Sequence, residues 1–174
     1  EPDYRAWETR RERLRALEAW TVVGRVALRT AEESWSATLH WRQRDGRYRI
    51  RLIAPLSQGT LEIAGDPDGV VLTTARGEVI SAADPETLLQ RELGWRMPVA
   101  GLRYWILGRD DPGRPVQRLE ADAQGRPVEL VQDGWAIRYG RYTAAAPVDL
   151  PARLEIEAPD LSARLVVTRW QTGA

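Results

Sequence analysis

The sequence has 174 residues, with 25 basic and 25 acidic side chains, one histidine and no cysteine. Its length predicts a single domain over residues 1–174 that buries a sizeable core without disulfides or a structural metal. The composition excludes thiol nucleophiles, zinc knuckles and multi-histidine metal sites, and the balanced charge gives no reason to expect a nucleic-acid partner.

The N-terminal half is predicted to contain one helix followed by a meander of strands. Apolar side chains recur at helical spacing over residues 3–20, with Asp3 as the expected N-cap. From Trp20 the period of the apolar residues changes to two, which is typical of strands, and Asp45-Gly46 is a two-residue hairpin signal. Strands are predicted at residues 20–29, 34–43, 47–54, 59–64, 70–74 and 78–81.

Two helices are predicted in the middle of the chain. Asp84-Pro85-Glu86 begins the first and Gly94 ends it, whereas the second runs from Pro98 to Gly108. Strands then resume at residues 116–121, 127–132, 135–142, 153–157 and 162–170. About eleven strands and three helices predict an α+β fold with one antiparallel, strongly curved sheet.

Clean alternation in the strands predicts one dry and one wet face for the sheet. In the second strand Leu39 and Trp41 point to one side, and His40 points to the other with Arg42. The concave dry face needs to be filled. The pattern leaves open whether side chains and helices fill it completely or leave a pocket for an apolar ligand.

No residue pattern typical of catalysis is present. His40 falls on the polar face without an acidic partner at catalytic spacing, and no nucleophile elbow, phosphate loop or zinc motif occurs. We therefore predict no catalytic residue, no metal and no cofactor. Arg47, Arg49 and Arg51 are interpreted as a solvated sheet face rather than an anion site.

The segment from Ile53 to Gly59 joins two predicted strands and has Leu56 at its tip. A leucine in this position either folds back onto the body of the protein or forms an exposed apolar tip. An exposed tip costs solubility and therefore suggests a partner or a membrane surface.

Four segments together resemble one protein family. They are Trp20-x-x-x-Gly24-Arg25, Ala54-Pro-Leu-x-x-Gly-Thr-Leu-Glu-Ile63, Leu102-Arg-Tyr-Trp-Ile-Leu-Gly108 and Trp135-x-Ile-x-Tyr-Gly-x-Tyr142. Their order resembles that of the LolB family of outer-membrane lipoprotein receptors, and the resemblance extends from about Tyr4 to Trp170.

The resemblance implies an unclosed eleven-stranded half-barrel whose helices cover a hydrophobic cavity. It implies a monomer at the periplasmic side of the outer membrane that takes the acyl chains of lipoproteins from the carrier LolA. It further implies that the loop Pro55, Leu56 and Ser57 contacts the outer-membrane lipid surface and inserts the cargo there. From the face assignments, the expected acyl-chain cavity residues are Val22, Val26, Leu28, Trp35, Leu39, Trp41, Ile50, Leu52, Leu61, Ile63, Leu88, Leu89, Leu102, Trp105, Ile106, Ile137 and Tyr139.

Members of the family carry a lipidated N-terminal cysteine, which this sequence lacks. The resemblance implies a native protein that is lipid-anchored in the outer membrane, and because the cysteine is missing we expect the present chain to be a soluble form without that anchor. No signal peptide or membrane-spanning run is apparent either. Three alternatives remain open at this stage. They are a soluble LolA-like carrier or lipoprotein-sensing domain, a structural domain with a filled core, and a lipid-ester hydrolase that uses the same cavity.

Overall fold

The computed structural model describes residues 4–55, 59–94 and 96–173. Its strands form one antiparallel sheet of eleven, in the order β6-β5-β4-β3-β2-β1-β11-β10-β9-β8-β7. Because β6 and β7 lie at opposite edges and do not pair with each other, the sheet is open. The predicted fold class, an unclosed antiparallel sheet with three helices, is confirmed.

The elements follow the predicted order closely. The helices are α1 (Arg5–Arg15), α2 (Pro85–Leu93) and α3 (Val99–Trp105). The strands are β1 (Ala19–Thr30), β2 (Ser34–Arg44), β3 (Arg47–Ile53), β4 (Thr60–Asp66), β5 (Gly69–Thr73), β6 (Val79–Ala82), β7 (Val116–Ala121), β8 (Pro127–Gln132), β9 (Trp135–Thr143), β10 (Leu150–Ala158) and β11 (Leu161–Thr172).

The ends of the helices show which local sequence signals were sufficient to predict where a helix begins and ends. Asp84 caps α2, since its Oδ1 accepts a hydrogen bond from the backbone N–H of Thr87 at 2.8 Å, and Gly94 ends the helix at φ 73°. The first helix ends at Arg15 rather than near residue 20, because the strand β1 already begins at Ala19. Asp3, its predicted cap, lies outside the described residues.

The central pair of strands contains an irregularity. The register between β1 and β11 shifts at Val23/Gly24, and a Cβ on Gly24 would lie 2.5 Å from the carbonyl oxygen of Val166. Only glycine permits this close approach of two backbones.

The inner face of the sheet carries the core, which all three helices cover. Leu88 and Leu89 of α2 and Trp105 of α3 are buried against it. The first helix packs with Trp7, Arg10 and Leu14, which follow one helical stripe. Arg10, 4% exposed, lies on the buried side of this helix, where sequence patterning assigned only apolar residues.

Candidate functional site: an apolar cavity

Between the inner face of the sheet and the segment of α2 and α3 lies a cavity of about 110 Å³. All the side chains that line it are aliphatic, methionine or tryptophan. They are Val26, Leu28, Trp35, Leu39, Trp41, Ile50, Leu52, Ile63, Leu89, Met97, Val99, Leu102, Ile106, Leu154, Ile156, Ala163 and Leu165.

The strands supply the wall by simple alternation. Val26 and Leu28 of β1 pair with Leu165 and Ala163 of β11, so that these four side chains share the inner face. Leu28 also pairs with Trp35 of β2. The cavity therefore lies toward the end of the sheet where β1 ends and β2 begins.

The cover comes from the helical segment. Leu89 projects from α2, Val99 and Leu102 from α3, and Met97 from the connection between them. Ile106 completes the cover just after α3. Helical spacing places Val99, Leu102 and Ile106 on one stripe, which faces the sheet.

Eleven of the seventeen predicted cavity residues line this cavity: Val26, Leu28, Trp35, Leu39, Trp41, Ile50, Leu52, Ile63, Leu89, Leu102 and Ile106. The other six do not. Val22, Leu88, Trp105, Ile137 and Tyr139 are buried in the solid core, and Leu61 packs against that core while partly exposed.

The interior is thus hollow in one part and solid in another. A solid part lies beneath β8 and β9, where the rings of Trp105 and Trp135 are 6.4 Å apart and Leu130 and Ile137 are fully buried. Alternation assigns a side chain to a face, but it does not say how far along the sheet the packing is complete.

Six lining residues were not among those predicted: Met97, Val99, Leu154, Ile156, Ala163 and Leu165. Four of them stand at alternate positions of strands, Leu154 and Ile156 in β10 and Ala163 and Leu165 in β11. The two-residue alternation that identified Leu39 and Trp41 would have identified these four as well. Met97 precedes α3 and carries no periodic signal.

The C-terminal end of α3 is firmly held by buried polar groups. Trp105 Nε1 donates to Gln132 Oε1 at 2.7 Å, and the hydroxyl of Tyr139 donates to the Trp105 carbonyl at 2.7 Å. Arg10 donates to the carbonyls of Leu107 and Gly108 at 2.8 and 3.3 Å. These bonds join α3 to the sheet and to α1 at one point.

By contrast, α2 meets its surroundings mainly through apolar contacts. Leu88 and Leu89 are buried, and the Oε1 of Glu86 accepts a hydrogen bond from the backbone N–H of Ala100 at 3.0 Å. Apolar contacts have no preferred direction, so this part of the cover is held less specifically than the end of α3.

Burial sets the ionisation of the tyrosines around the interior. It raises the pKa of Tyr48 to about 12, and it raises the pKa of Tyr139 and Tyr142 further above the ordinary value. These three tyrosines, of which Tyr139 is buried and Tyr48 and Tyr142 are partly buried, therefore remain neutral at neutral pH, and the hydroxyls of Tyr139 and Tyr142 serve as hydrogen-bond donors.

Chemistry-bearing residues do not converge on the cavity. His40 lies on the outer face opposite Arg51, with its neighbours Leu39 and Trp41 directed inward. Among the described residues no three His, Cys, Asp or Glu side chains are grouped so as to hold a metal ion. No helix within the described ranges has the length and apolarity that crossing a membrane requires.

The predicted insertion loop is only partly described. Pro55 is exposed after the end of β3, whereas Leu56 and Ser57 lie outside the described residues. Ala54 donates its backbone N–H to the Gly59 carbonyl at 3.0 Å, which brings the two ends of the loop together.

Comparison with known sequences gives consistent matches over most of the chain. Residues 18–170 match the family described as "Outer membrane lipoprotein LolB". A protein of Nitrosococcus oceani named "Outer-membrane lipoprotein LolB" is 41% identical over 167 residues, which are 96% of this chain and 83% of that relative. One of the same name from Alkalilimnicola ehrlichii is 45% identical over 159 residues, or 91% and 80% of the two chains.

Solved structures share the fold at low sequence identity. A LolA superfamily protein from Nitrosomonas europaea superposes with a TM-score of 0.59 at 9% identity, covering 97% of this chain and 92% of that one. A putative outer membrane lipoprotein-sorting protein domain from Vibrio parahaemolyticus gives a TM-score of 0.60 at 8% identity, covering 98% and 92%. At these identities the likeness concerns the fold alone.

Proposed function

The chain belongs to the LolB family of outer-membrane lipoproteins, and from this membership we propose that it acts as a lipoprotein receptor of the outer membrane. In this role it accepts acylated lipoproteins from the carrier LolA, as a monomer, and inserts them into the membrane.

The observation that carries the proposal is the wholly apolar lining of the cavity. Burying an acyl chain is worth roughly 0.8 kcal/mol per methylene, so a chain of about 16 carbons gains on the order of 12 kcal/mol. A dry cavity offers that gain without a nucleotide or a metal. Release into a bilayer is favourable if the cavity binds the chain less strongly than the bilayer does.

The cavity has to widen before it accepts such a chain. Its volume of about 110 Å³ is smaller than ligand pockets, which span roughly 300–1,000 Å³. Because the C-terminal end of α3 is held by Gln132, Tyr139 and Arg10, we expect α2 and the start of α3 to move outward. This displacement exposes the inner sides of Leu89, Val99 and Leu102.

A hydrolase is not favoured as a second candidate. The single histidine of the chain, His40, lies on the outer face of the sheet, on the opposite side from the cavity lining. A general base there has no path to a bound ester.

The first test fills the cavity. Ala163 lines it, and Ala163→Phe places a ring in the space that an acyl chain needs. We expect at least a tenfold weaker affinity for a triacylated lipopeptide, measured by displacement of a fluorescent fatty acid.

Ala136→Phe is the matched control, because Ala136 lies on β9 between the inward residues Trp135 and Ile137 and so faces outward. It should bind like the parent. Equal binding by the parent and Ala163→Phe, with both folded by circular dichroism, would refute the assignment of the cavity as the acyl site.

The second test concerns the loop. Leu56→Glu should still take a lipoprotein from its carrier but lose its transfer into vesicles, since a carboxylate does not enter the bilayer without a large desolvation cost. Leu56→Met should retain transfer. If Leu56→Glu transfers cargo as well as the parent, the loop has no role in insertion.

A further inference from the structure

The outer face of the β2–β3 hairpin carries an unusual concentration of positive charge. Arg42, Arg44, Arg47, Arg49 and Arg51 are all exposed there, and we call them the arginine patch. Neither strand contains an aspartate or a glutamate. The chain as a whole is neutral, so the patch is a local excess of charge.

The strand register places these cations directly against one another. Arg42 pairs with Arg49 and Arg44 pairs with Arg47 across the hairpin. Like charges at directly opposed positions of an antiparallel pair destabilise the sheet. The paired arginines therefore oppose folding locally, and an anion bound from outside the chain would relieve this repulsion.

Neutralisation from within the molecule is incomplete. Glu62 of β4 lies 3.5 Å from Arg49 and 3.8 Å from Arg51, so a single carboxylate serves both. Within the described part of the chain, no carboxylate oxygen comes within 4 Å of a guanidinium nitrogen of Arg42, Arg44 or Arg47.

The other half of the same face provides an internal comparison. There Glu155 is 3.2 Å from Arg164 and 3.9 Å from Arg153. Arg138 lies 3.9 Å from both Glu129 and Glu157. Opposite charges alternate across these strands, as is usual for a solvated sheet, so the patch is not a general property of this arginine-rich chain.

We propose that the arginine patch binds the anionic headgroups of a lipid bilayer. The charges extend over roughly 13 Å along β3, at about 3.3 Å per residue, and are exposed rather than gathered around one pocket. Such an array suits several headgroups of a surface better than a single bound anion. The strand β3 ends at Ile53, so the exposed Pro55 lies close to the end of the patch.

The inference does not depend on acyl-chain binding, and its test needs no lipoprotein cargo. The chain is mixed with vesicles of phosphatidylcholine with or without phosphatidylglycerol, and the bound fraction is measured by flotation. The parent should bind only the anionic vesicles, and binding should weaken as ionic strength rises to about 0.15 M and above.

Arg42→Gln/Arg49→Gln should reduce partitioning onto anionic vesicles by about 20-fold. The melting temperature of this variant should change little, because the repulsion between Arg42 and Arg49 is removed and Glu62 keeps Arg51 as its ion-pair partner. The matched control, Arg138→Gln/Arg153→Gln, removes the same charge from the balanced half and should change partitioning less than twofold.

Three results would overturn the inference. They are equal binding to neutral vesicles, equal losses in the two double variants, and unchanged vesicle binding by Arg42→Gln/Arg49→Gln. In the last case, a loss of cargo uptake from LolA by the same variant would assign the patch to an acidic protein instead. Acyl-chain binding by the cavity is measured separately with Ala163→Phe. Failure of the cavity proposal can therefore be told apart from failure of the arginine-patch proposal.

Discussion

Gln132 is fully buried and makes four hydrogen bonds, one to the end of α3 and three to the segment that follows this helix. Its Oε1 accepts from Trp105 Nε1 at 2.7 Å and from the Asp111 backbone N–H at 2.8 Å. Its Nε2 donates to the carbonyls of Asp111 and Arg114, both at 3.0 Å. We predict that Gln132→Leu, which keeps the size of the side chain, leaves these partners unsatisfied inside the protein.

The size of the stability loss follows from the number of buried polar groups left without a hydrogen-bond partner. An unsatisfied buried donor or acceptor costs about 1–3 kcal/mol, and the leucine regains part of that through apolar contact. We therefore expect the free energy of unfolding to fall by about 4 kcal/mol and the melting temperature by about 10 °C. Urea unfolding followed by far-ultraviolet circular dichroism measures this without relying on the fluorescence of Trp105.

Gln43→Leu is the control, because Gln43 is equally buried but makes two bonds, to Trp41 Nε1 at 3.0 Å and to the Asp45 carbonyl at 2.6 Å. Its cost should be about half as large. A loss below about 1 kcal/mol for Gln132→Leu, or one no greater than for Gln43→Leu, would refute the reasoning that this network fixes α3.

Three further outcomes are expected. Arg10→Met should lower the free energy of unfolding, measured in urea, by about 3 kcal/mol, because three hydrogen bonds to backbone carbonyls are lost. Arg10→Lys should not recover the lost stability, since the ammonium group of lysine lacks the planar, forked donor geometry of the guanidinium. Gly24→Ala should lower the free energy of unfolding by about 2 kcal/mol, because the new Cβ clashes with the Val166 carbonyl. Gly140→Ala is the control: its Cβ meets only the Arg153 side chain, at 3.5 Å, so the melting temperature should hardly change. The fold favours the neutral phenol of Tyr48 and raises its pKa to about 12. This preference contributes fully to the free energy of unfolding below a pH of about 10, and the contribution is lost as the pH rises through about 12. A spectrophotometric titration in which every tyrosine ionises near pH 10 before the protein unfolds would contradict this expectation.

Local signals in the sequence were sufficient for the order of the elements and the identity of the wet and dry faces. The cap at Asp84 and the stop at Gly94 act within a few residues, and alternation in β2 directs Leu39 inward whatever lies opposite. The motifs of the LolB family follow the same order along the chain, so membership was also readable from the sequence.

Tertiary structure decided which inward residues border empty space and which are solid core. Trp105 and Leu102 stand on the same helix, yet one is enclosed by Gln132 and Trp135 while the other lines the cavity. Arg10 is accommodated in the interior because carbonyls of residues far along the chain accept hydrogen bonds from its guanidinium, and Arg42 faces Arg49 only through the strand register. Periodicity assigns a side chain to a face of its own element, whereas packing and charge balance depend on elements brought together from distant parts of the chain.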